Sequence, residues 1–116
     1  MDKHKKEQAF ANLVRAYRKQ HIGKGPEKID VSFHGKWAIA FMTGALSKVE
    51  NFYLRDERNE DMLRHARTFE IKRLYDEINP DEMEELVGAQ FVKLFTDVDL
   101  VADEVVSIFV FDKSIE

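Results

Sequence analysis

The segment "HIGKGPEKIDV", residues 21–31, combines glycines with lysines, which are the residue types of a loop that binds phosphate. A phosphate loop of the common kind has its glycines before a helix, so that backbone N–H groups point at the anion. Here the glycines follow a helical pattern and precede an alternating one, and the segment has neither GxxxxGK[ST] nor GxGxxG spacing. The glycines therefore predict the end of a helix and not a nucleotide site.

The other residues that could carry chemistry form no known catalytic or metal-binding motif. The acidic run "DVDLVADE", residues 97–104, fails the calcium-loop pattern because Ala102 stands where glycine is needed. The chain has no cysteine, which excludes a thiol nucleophile, a thiolate metal site and a disulfide. The histidines lack HExxH or another paired ligand spacing, and they are His4, His21, His34 and His65. The sequence predicts no catalytic residue, no metal and no cofactor, and it disfavours an enzyme.

Length and composition predict one domain over residues 1–116. With 44% hydrophobic residues, the chain can bury a sizeable core. No apolar run approaches the ~20 residues of a membrane span, and no apolar stretch follows the basic start as in a signal peptide. The absence of cysteine suits a reducing compartment, so we expect a cytoplasmic location.

The net charge of -4 hides an asymmetry between the start of the chain and the remainder. Residues 1–28 contain eight basic and three acidic residues, a net charge of +5, whereas the remainder has ten basic and nineteen acidic residues. One interpretation is a solvated helix face that balances the acidic body. The alternative is a contact with an anionic membrane surface or an acidic partner. The acidic body argues against nucleic acid as a partner.

Apolar residues at i, i+3, i+4 and i+7 predict an amphipathic helix from about residue 5 to residue 21. This pattern leaves Arg15, Arg18 and Lys19 elsewhere on the helix. Gly23 then follows the last turn, where glycine adopts a left-handed conformation at low cost. The apolar positions of the helix are Phe10, Leu13, Val14 and Tyr17.

The rest of the chain alternates between strand and helix patterns. Period-2 runs at 29–34 and 37–42 predict one β-hairpin, and runs at 91–98 and 105–111 predict a second. Residues 48–78 are helical in character, with a break expected within 55–61. A capping box of Ser47 and Glu50 opens this part. A short helix with Asn79 as its cap and Pro80 at its first position follows, and it ends at Gly88.

These elements predict an α+β domain in the order helix, hairpin, helices, hairpin. The expected architecture is a four-stranded antiparallel sheet with its helices mainly on one face. The strand order stays open at this point, and a circularly permuted ferredoxin-like arrangement is one possibility.

The last strand is apolar on both faces, which does not suit a solitary monomer. Val106, Ile108 and Val110 alternate with Val105, Phe109 and Phe111. Either the long helical segment covers the second face, or a homodimer buries it sheet against sheet or extends the sheet edge to edge. The candidate interface residues are Val106, Ile108 and Phe109.

Three short motifs in a fixed order resemble those of the MpsC family, and the resemblance covers nearly the whole chain. The first is a helix ending in G-x-G-P, at Gly23, Gly25 and Pro26. The second is a strand ending in G-x-L-[ST]-x-x-E, from Gly44 to Glu50, and the third is a late strand that ends at Asp97. The resemblance implies a link to a sodium-translocating, membrane-potential-generating system of bacteria, and it implies no catalytic residues.

Two functions follow as expectations. The first is a soluble, non-enzymatic accessory or interaction module, homodimeric and peripheral to the membrane. Its further partner would be a membrane protein or an anionic membrane surface that meets the basic N-terminal helix. The alternative is a regulatory domain that binds a small molecule or anion near the G-x-G-P turn and Gly44. A flat apolar sheet face would favour the first function, and an enclosed polar pocket beside Lys24, Lys28 or Arg67 would favour the second.

Overall fold

A computed structural model describes residues 2–116, and over these residues it confirms the predicted α+β class and element order. None of the helices within residues 2–116 is long and apolar enough to cross a membrane. The helices are α1 (Lys3–His21), α2 (Lys48–Tyr53), α3 (Glu60–Glu77) and α4 (Asp81–Val87), with a 3-10 turn at Glu57–Asn59. The strands are β1 (Lys28–His34), β2 (Trp37–Thr43), β3 (Phe91–Asp99) and β4 (Glu104–Phe111).

The strands form one antiparallel sheet in the order β1-β2-β4-β3. Each hairpin supplies two neighbouring strands, and the hairpins join along β2 and β4, where Ile39 pairs with Ile108. This is the strand order that a circularly permuted ferredoxin-like sheet would have. The two most apolar strands therefore lie at the centre of the sheet.

The helices pack on one face of the sheet, and the core lies between the two layers. Helix α1 packs on β1, α3 packs on β3, and α4 contacts α1. The Phe10 ring meets Phe33 and Phe109 edge to face, with ring centroids 5.8 and 5.2 Å apart, a favourable aromatic geometry. Strand β2 turns its smaller residues towards this core, and these are Ala38, Ala40 and Met42.

Local signals set the ends of the helices as expected, with one shift. The capping box of Ser47 and Glu50 is present in full, and α2 and α3 are separate helices. Gly23 has a φ of 96° just after α1. The predicted start of α4 was wrong by one residue: Pro80 occupies the N-cap position, and Asn79 precedes it. A proline contributes no side-chain acceptor there, so α4 begins without a side-chain cap.

Two side chains lie on a different face from the one their patterns predicted. Arg18, expected outside the apolar face of α1, is only 1% exposed. It follows Val14 by four residues, so it continues the buried stripe by one turn. In β3, a register shift between Phe91 and Lys93 breaks the alternation. The resulting β-bulge turns Phe91 towards the core, where its ring lies 6.1 Å from that of Phe111.

Candidate functional site

The face of the sheet opposite the helices is uncovered over the described residues, and we call it the open sheet face; it is apolar across β2, β4 and β3 and polar along β1. Trp37 and Phe95 remain 51% and 52% exposed there. Ile108 and Val110 form the floor of a groove of about 410 Å³ between these two aromatic side chains. The apolar residues of the open sheet face are Trp37, Ile39, Phe41, Phe95, Val106, Ile108 and Val110.

Charges on the open sheet face are divided between its two ends. Lys93 lies at the end that carries Trp37, with its ammonium 5.2 Å from the centre of the Phe95 ring. The opposite end carries one cation, Lys28, and four carboxylates, and is therefore net acidic; the carboxylates are Asp30, Asp97, Asp99 and Glu104. The face therefore has a basic end and an acidic end on either side of an apolar centre.

The structure divides the three candidate interface residues between the two faces. Val106 and Ile108 lie on the open sheet face, paired with Phe41 and Ile39. Phe109 is fully buried in the protomer core, because alternation turns it towards the helices. Phe109 is therefore removed from the candidate interface, which instead extends to β2 and β3.

A second concave site lies between the turn after α1 and the start of α3, and we call it the α1–α3 cleft. Its volume is about 420 Å³, within the range of small-molecule sites. The α1–β1 turn, the start of α2 and one side of α3 form its walls. The lining residues are Ile22, Gly23, Lys24, Ser47, Glu50, Leu63, Ala66, Arg67 and Glu70.

Arg67 is the buried cation of the α1–α3 cleft, with 4% of its surface exposed. Its Nη1 atom lies 3.0 Å from Glu50 Oε1, and Nη2 donates to the carbonyl oxygen of Ala45. The Nε–H group has no hydrogen-bond partner among the described residues. Lys24, at the mouth, donates from Nζ to the carbonyl oxygen of Leu46 at 2.8 Å.

Arg18 lies beside this cleft and is less well paired than Arg67. Its single side-chain hydrogen bond runs from Nη2 to Ser107 Oγ at 3.3 Å, and Nε and Nη1 have no partner within residues 2–116. The pKa of Arg18 is lowered to about 10, chiefly by burial and to a smaller extent by the positive charge of Arg67, while Tyr75 and Glu70 act in the opposite direction. The nearby Tyr75 hydroxyl is also unpaired in the described chain, and burial raises its pKa. Arg18 and Arg67 are therefore two buried cations, of which Arg67 alone has an ion-pair partner within residues 2–116.

The predicted motif residues do not converge on one site. Gly23 and Glu50 line the α1–α3 cleft. Asp97 lies on the open sheet face, where its carboxylate accepts from the N–H of Val98 at 2.9 Å. The first two motifs therefore meet in space, and the third belongs to another surface.

The remaining motif residues shape the chain around the turn. A Cβ atom at Gly25 would lie 3.0 Å from Cγ of Arg15, so glycine allows the turn to pack closely on α1. Pro26 is buried, and its carbonyl oxygen accepts from Arg15 Nε at 3.4 Å. Gly44 has a φ of 68°, and a Cβ there would overlap Glu27 at 2.7 Å. These three residues have structural roles in the geometry observed.

Asp103 is a structurally important residue that the sequence reasoning missed. It lies in the β3–β4 turn with a φ of 53°, which aspartate tolerates better than most residues. Its Oδ1 atom accepts from the N–H groups of Ala45 and Leu46 at 2.9 and 3.1 Å. The acidic turn thereby fixes the end of β2 next to the α1–α3 cleft. Within residues 2–116, no cluster of three or more histidine or acidic side chains could hold a metal ion.

Comparisons with known proteins show the family to which the chain belongs. The family described as "Na+-translocating membrane potential-generating system (MpsC)" matches residues 2–113. The uncharacterised protein YrhF of Bacillus subtilis (strain 168) is 40% identical over 112 residues, which cover 97% of this chain and 92% of YrhF. No solved structure matches the chain. With a match over nearly its whole length, the chain belongs to the MpsC family.

Proposed function

We propose that this protein is a homodimeric, non-enzymatic accessory module of a membrane-potential-generating system, and that the open sheet face is its dimer interface. The observation that carries this proposal is a set of seven apolar side chains on one sheet face, three exposed and four half-buried. The apolar residues lie on three strands, β2, β4 and β3, and three strands at ~4.8 Å spacing with seven residues at ~3.3 Å rise give an apolar patch of roughly 14 by 23 Å. Apolar patches of this size on a protein surface generally mark an interaction site.

Charge complementarity supports a second copy of the chain as the occupant. If two sheets pack face to face with their strands antiparallel, the basic end of each meets the acidic end of the other. Lys93 would then face Asp97 and Glu104 of the second copy. A parallel arrangement would instead place acidic end on acidic end, which costs free energy and disfavours that orientation.

Shape also supports the antiparallel arrangement. Phe41, at the acidic end, is 42% exposed, and the groove between Trp37 and Phe95 lies at the basic end. The twofold operation would bring the end of each copy that carries Phe41 opposite the end of the other copy that carries the groove. The interface would be isologous, with one patch used by both copies.

The family description supports the second part of the proposal, the association with an ion-translocating membrane system. With no membrane-crossing helix within residues 2–116, the association proposed here is peripheral and cytoplasmic, through contacts with a membrane protein of that system. The open sheet face is used by the dimer, so the helix layer is left to contact that protein.

The experiment is a measurement of molar mass by sedimentation equilibrium over micromolar concentrations. The wild type should be a dimer, and Ile108→Glu should be a folded monomer, because it buries a charge at the centre of the interface. The matched control is Val49→Glu, which places the same charge on a 64% exposed valine of α2 and should leave the dimer intact. A wild type that is monomeric at high micromolar concentration contradicts the dimer proposal.

A charge exchange tests the orientation. Lys93→Glu and Asp97→Lys, made singly, should each weaken the dimer, because each creates like-charge contacts across the interface. The double variant restores opposite charges and should recover part of the lost affinity. Single variants that associate as tightly as the wild type would exclude the antiparallel arrangement.

A further inference from the structure

We propose that the α1–α3 cleft binds a small oxyanion, a phosphate or a carboxylate group, held by Arg67 and Lys24 with Arg18 beside them. This inference goes beyond the proposed dimer, because the cleft lies on the helix side of the sheet and shares no lining residue with the open sheet face. It would remain valid if the protein were a monomer.

The first argument is the number of unused donors. Arg18 and Arg67 are 1% and 4% exposed, yet three of their N–H-bearing nitrogen atoms have no partner within residues 2–116. Buried side-chain donors are nearly always paired in folded proteins. A guanidinium group with a free donor in a cleft wall, as Arg67 has at Nε, is suited to binding a planar or tetrahedral oxyanion.

The second argument is the charge balance. Glu50 is the one carboxylate paired with this cluster in the described chain, and it is already committed to Arg67 and to the N–H of Ser47 at 3.0 Å. Glu70, at the rim, is solvent-exposed. Glu50 and Glu70 balance Lys24 and Arg67 among the lining residues, so the excess positive charge is that of Arg18, buried beside the cleft, and a bound monoanion would balance it.

The third argument is access. Ile22 and Gly23, which line the cleft, donate their N–H groups to the carbonyl oxygen of Arg18 at 2.8 and 3.1 Å. The backbone of Arg18 is thus one helical turn from the cleft wall, while Arg67 itself lines the cleft with its side chain. Lys24 is half-buried at the mouth, and its one side-chain hydrogen bond within residues 2–116 is to the carbonyl oxygen of Leu46. An anion that enters beside Lys24 meets Arg67 next.

The test is an NMR titration of the intact chain with orthophosphate and, in a separate arm, with succinate. Sodium chloride at matched ionic strength is the reference for non-specific screening. We expect saturable shifts of the Gly23 amide and of the Arg67 Nε–H signal with at least one oxyanion. The arm with the lower dissociation constant distinguishes phosphate from carboxylate chemistry.

The variants separate a built site from general attraction. Lys24→Met should weaken binding of the oxyanion by about 10-fold, the effect of losing one charged contact. The matched control is Lys28→Met, which removes the same charge from an exposed position outside the cleft and should change the affinity less than 2-fold. Arg18→Met provides a second cleft variant that also weakens binding.

The proposal is overturned if neither oxyanion gives saturable shifts up to about 20 mM, far weaker than the ordinary range of metabolite sites. It is also overturned if chloride reproduces the shifts, or if Lys24→Met and Lys28→Met weaken binding equally. None of these results depends on the oligomeric state, so failure of the oxyanion site and failure of the dimer are distinguishable.

Discussion

Replacement of Arg18 by methionine should make the protein more stable. Arg18 is 1% exposed and forms one side-chain hydrogen bond, to Ser107. A buried charge without a counter-charge raises the free energy of the folded state. Methionine has a similar length, so the substitution removes the charge and leaves the apolar part of the side chain in place.

The magnitude follows from the pKa and the hydrogen bond. A pKa of Arg18 lowered from 12.5 to about 10 corresponds to a cost of about 3 kcal/mol, at about 1.4 kcal/mol for each pKa unit. The lost bond to Ser107 contributes about 1 kcal/mol in the opposite direction. Ser107 does not become unpaired, because its Oγ atom also lies 2.9 Å from Thr96 Oγ1. The expected gain in the free energy of unfolding is therefore about 2 kcal/mol.

The assay is urea unfolding at pH 7 and at one fixed protein concentration, because dimerisation would couple stability to concentration. Lys19→Met, which removes a charge from an exposed position of the same helix, is the control and should change stability by less than about 0.5 kcal/mol. The pH dependence has a defined sign. The pKa of Arg18 is lower in the folded state than in the unfolded state. The free-energy cost of burying its charge in the wild type should therefore fall as pH rises through about 10.

Destabilisation of Arg18→Met by 1 kcal/mol or more would refute this reasoning. Such a result would mean that the folded protein already compensates the Arg18 charge. A stabilised variant that has also lost the response to oxyanion would show that this residue is retained for binding at the expense of stability.

Three further predictions concern other parts of the chain. Asp103→Ala should lower the free energy of urea unfolding by about 2–4 kcal/mol, because it leaves the buried N–H groups of Ala45 and Leu46 unpaired; a loss below 0.5 kcal/mol would contradict this role. Gly23→Ala should cost about 1 kcal/mol in the same assay, from the positive φ alone, since a Cβ there meets no atom within 4 Å. Finally, α1 should bind anionic liposomes weakly at low salt in a sedimentation assay. Binding should fall with added salt and with Lys5→Glu. Binding that does not change with salt would contradict a membrane contact and would indicate that the lysines of α1 form a solvated face.

The features that the sequence predicted well are those governed by neighbouring residues. The capping box depends on Ser47 and Glu50, which are three positions apart, and Gly23 ends α1 by its own backbone freedom. The two hairpins follow from alternation and short turns. The motif residues of the α1–α3 cleft, Gly23 and Glu50, were identified by their spacing, but their meeting in one cleft required the fold.

The features that the sequence did not predict depend on contacts between distant segments. Strand β2 is apolar on both faces, so its pattern could not decide whether Ala40 or the larger Phe41 faces the core. The face on which the helices pack determines this orientation, and Ala40 is buried whereas Phe41 is exposed. The charge of Arg18 favoured the polar side of α1, whereas its four-residue spacing from Val14 indicated the buried side. Arg18 follows the spacing and is buried, because Ser107 and the neighbouring Tyr75 provide polar groups for it within the core.

The junction of the two hairpins along β2 and β4 has a consequence for how the chain folds. The residues that pair there, such as Thr43 and Glu104, are separated by about 60 residues. The two strands of each hairpin, in contrast, are joined by a turn of only a few residues. Hairpins form in about 1–10 μs, but the junction must first overcome the closure entropy of the long intervening segment. We therefore expect docking of the hairpins to limit the folding rate. Ala40→Gly, at this junction, should slow refolding in stopped-flow experiments more than it speeds unfolding.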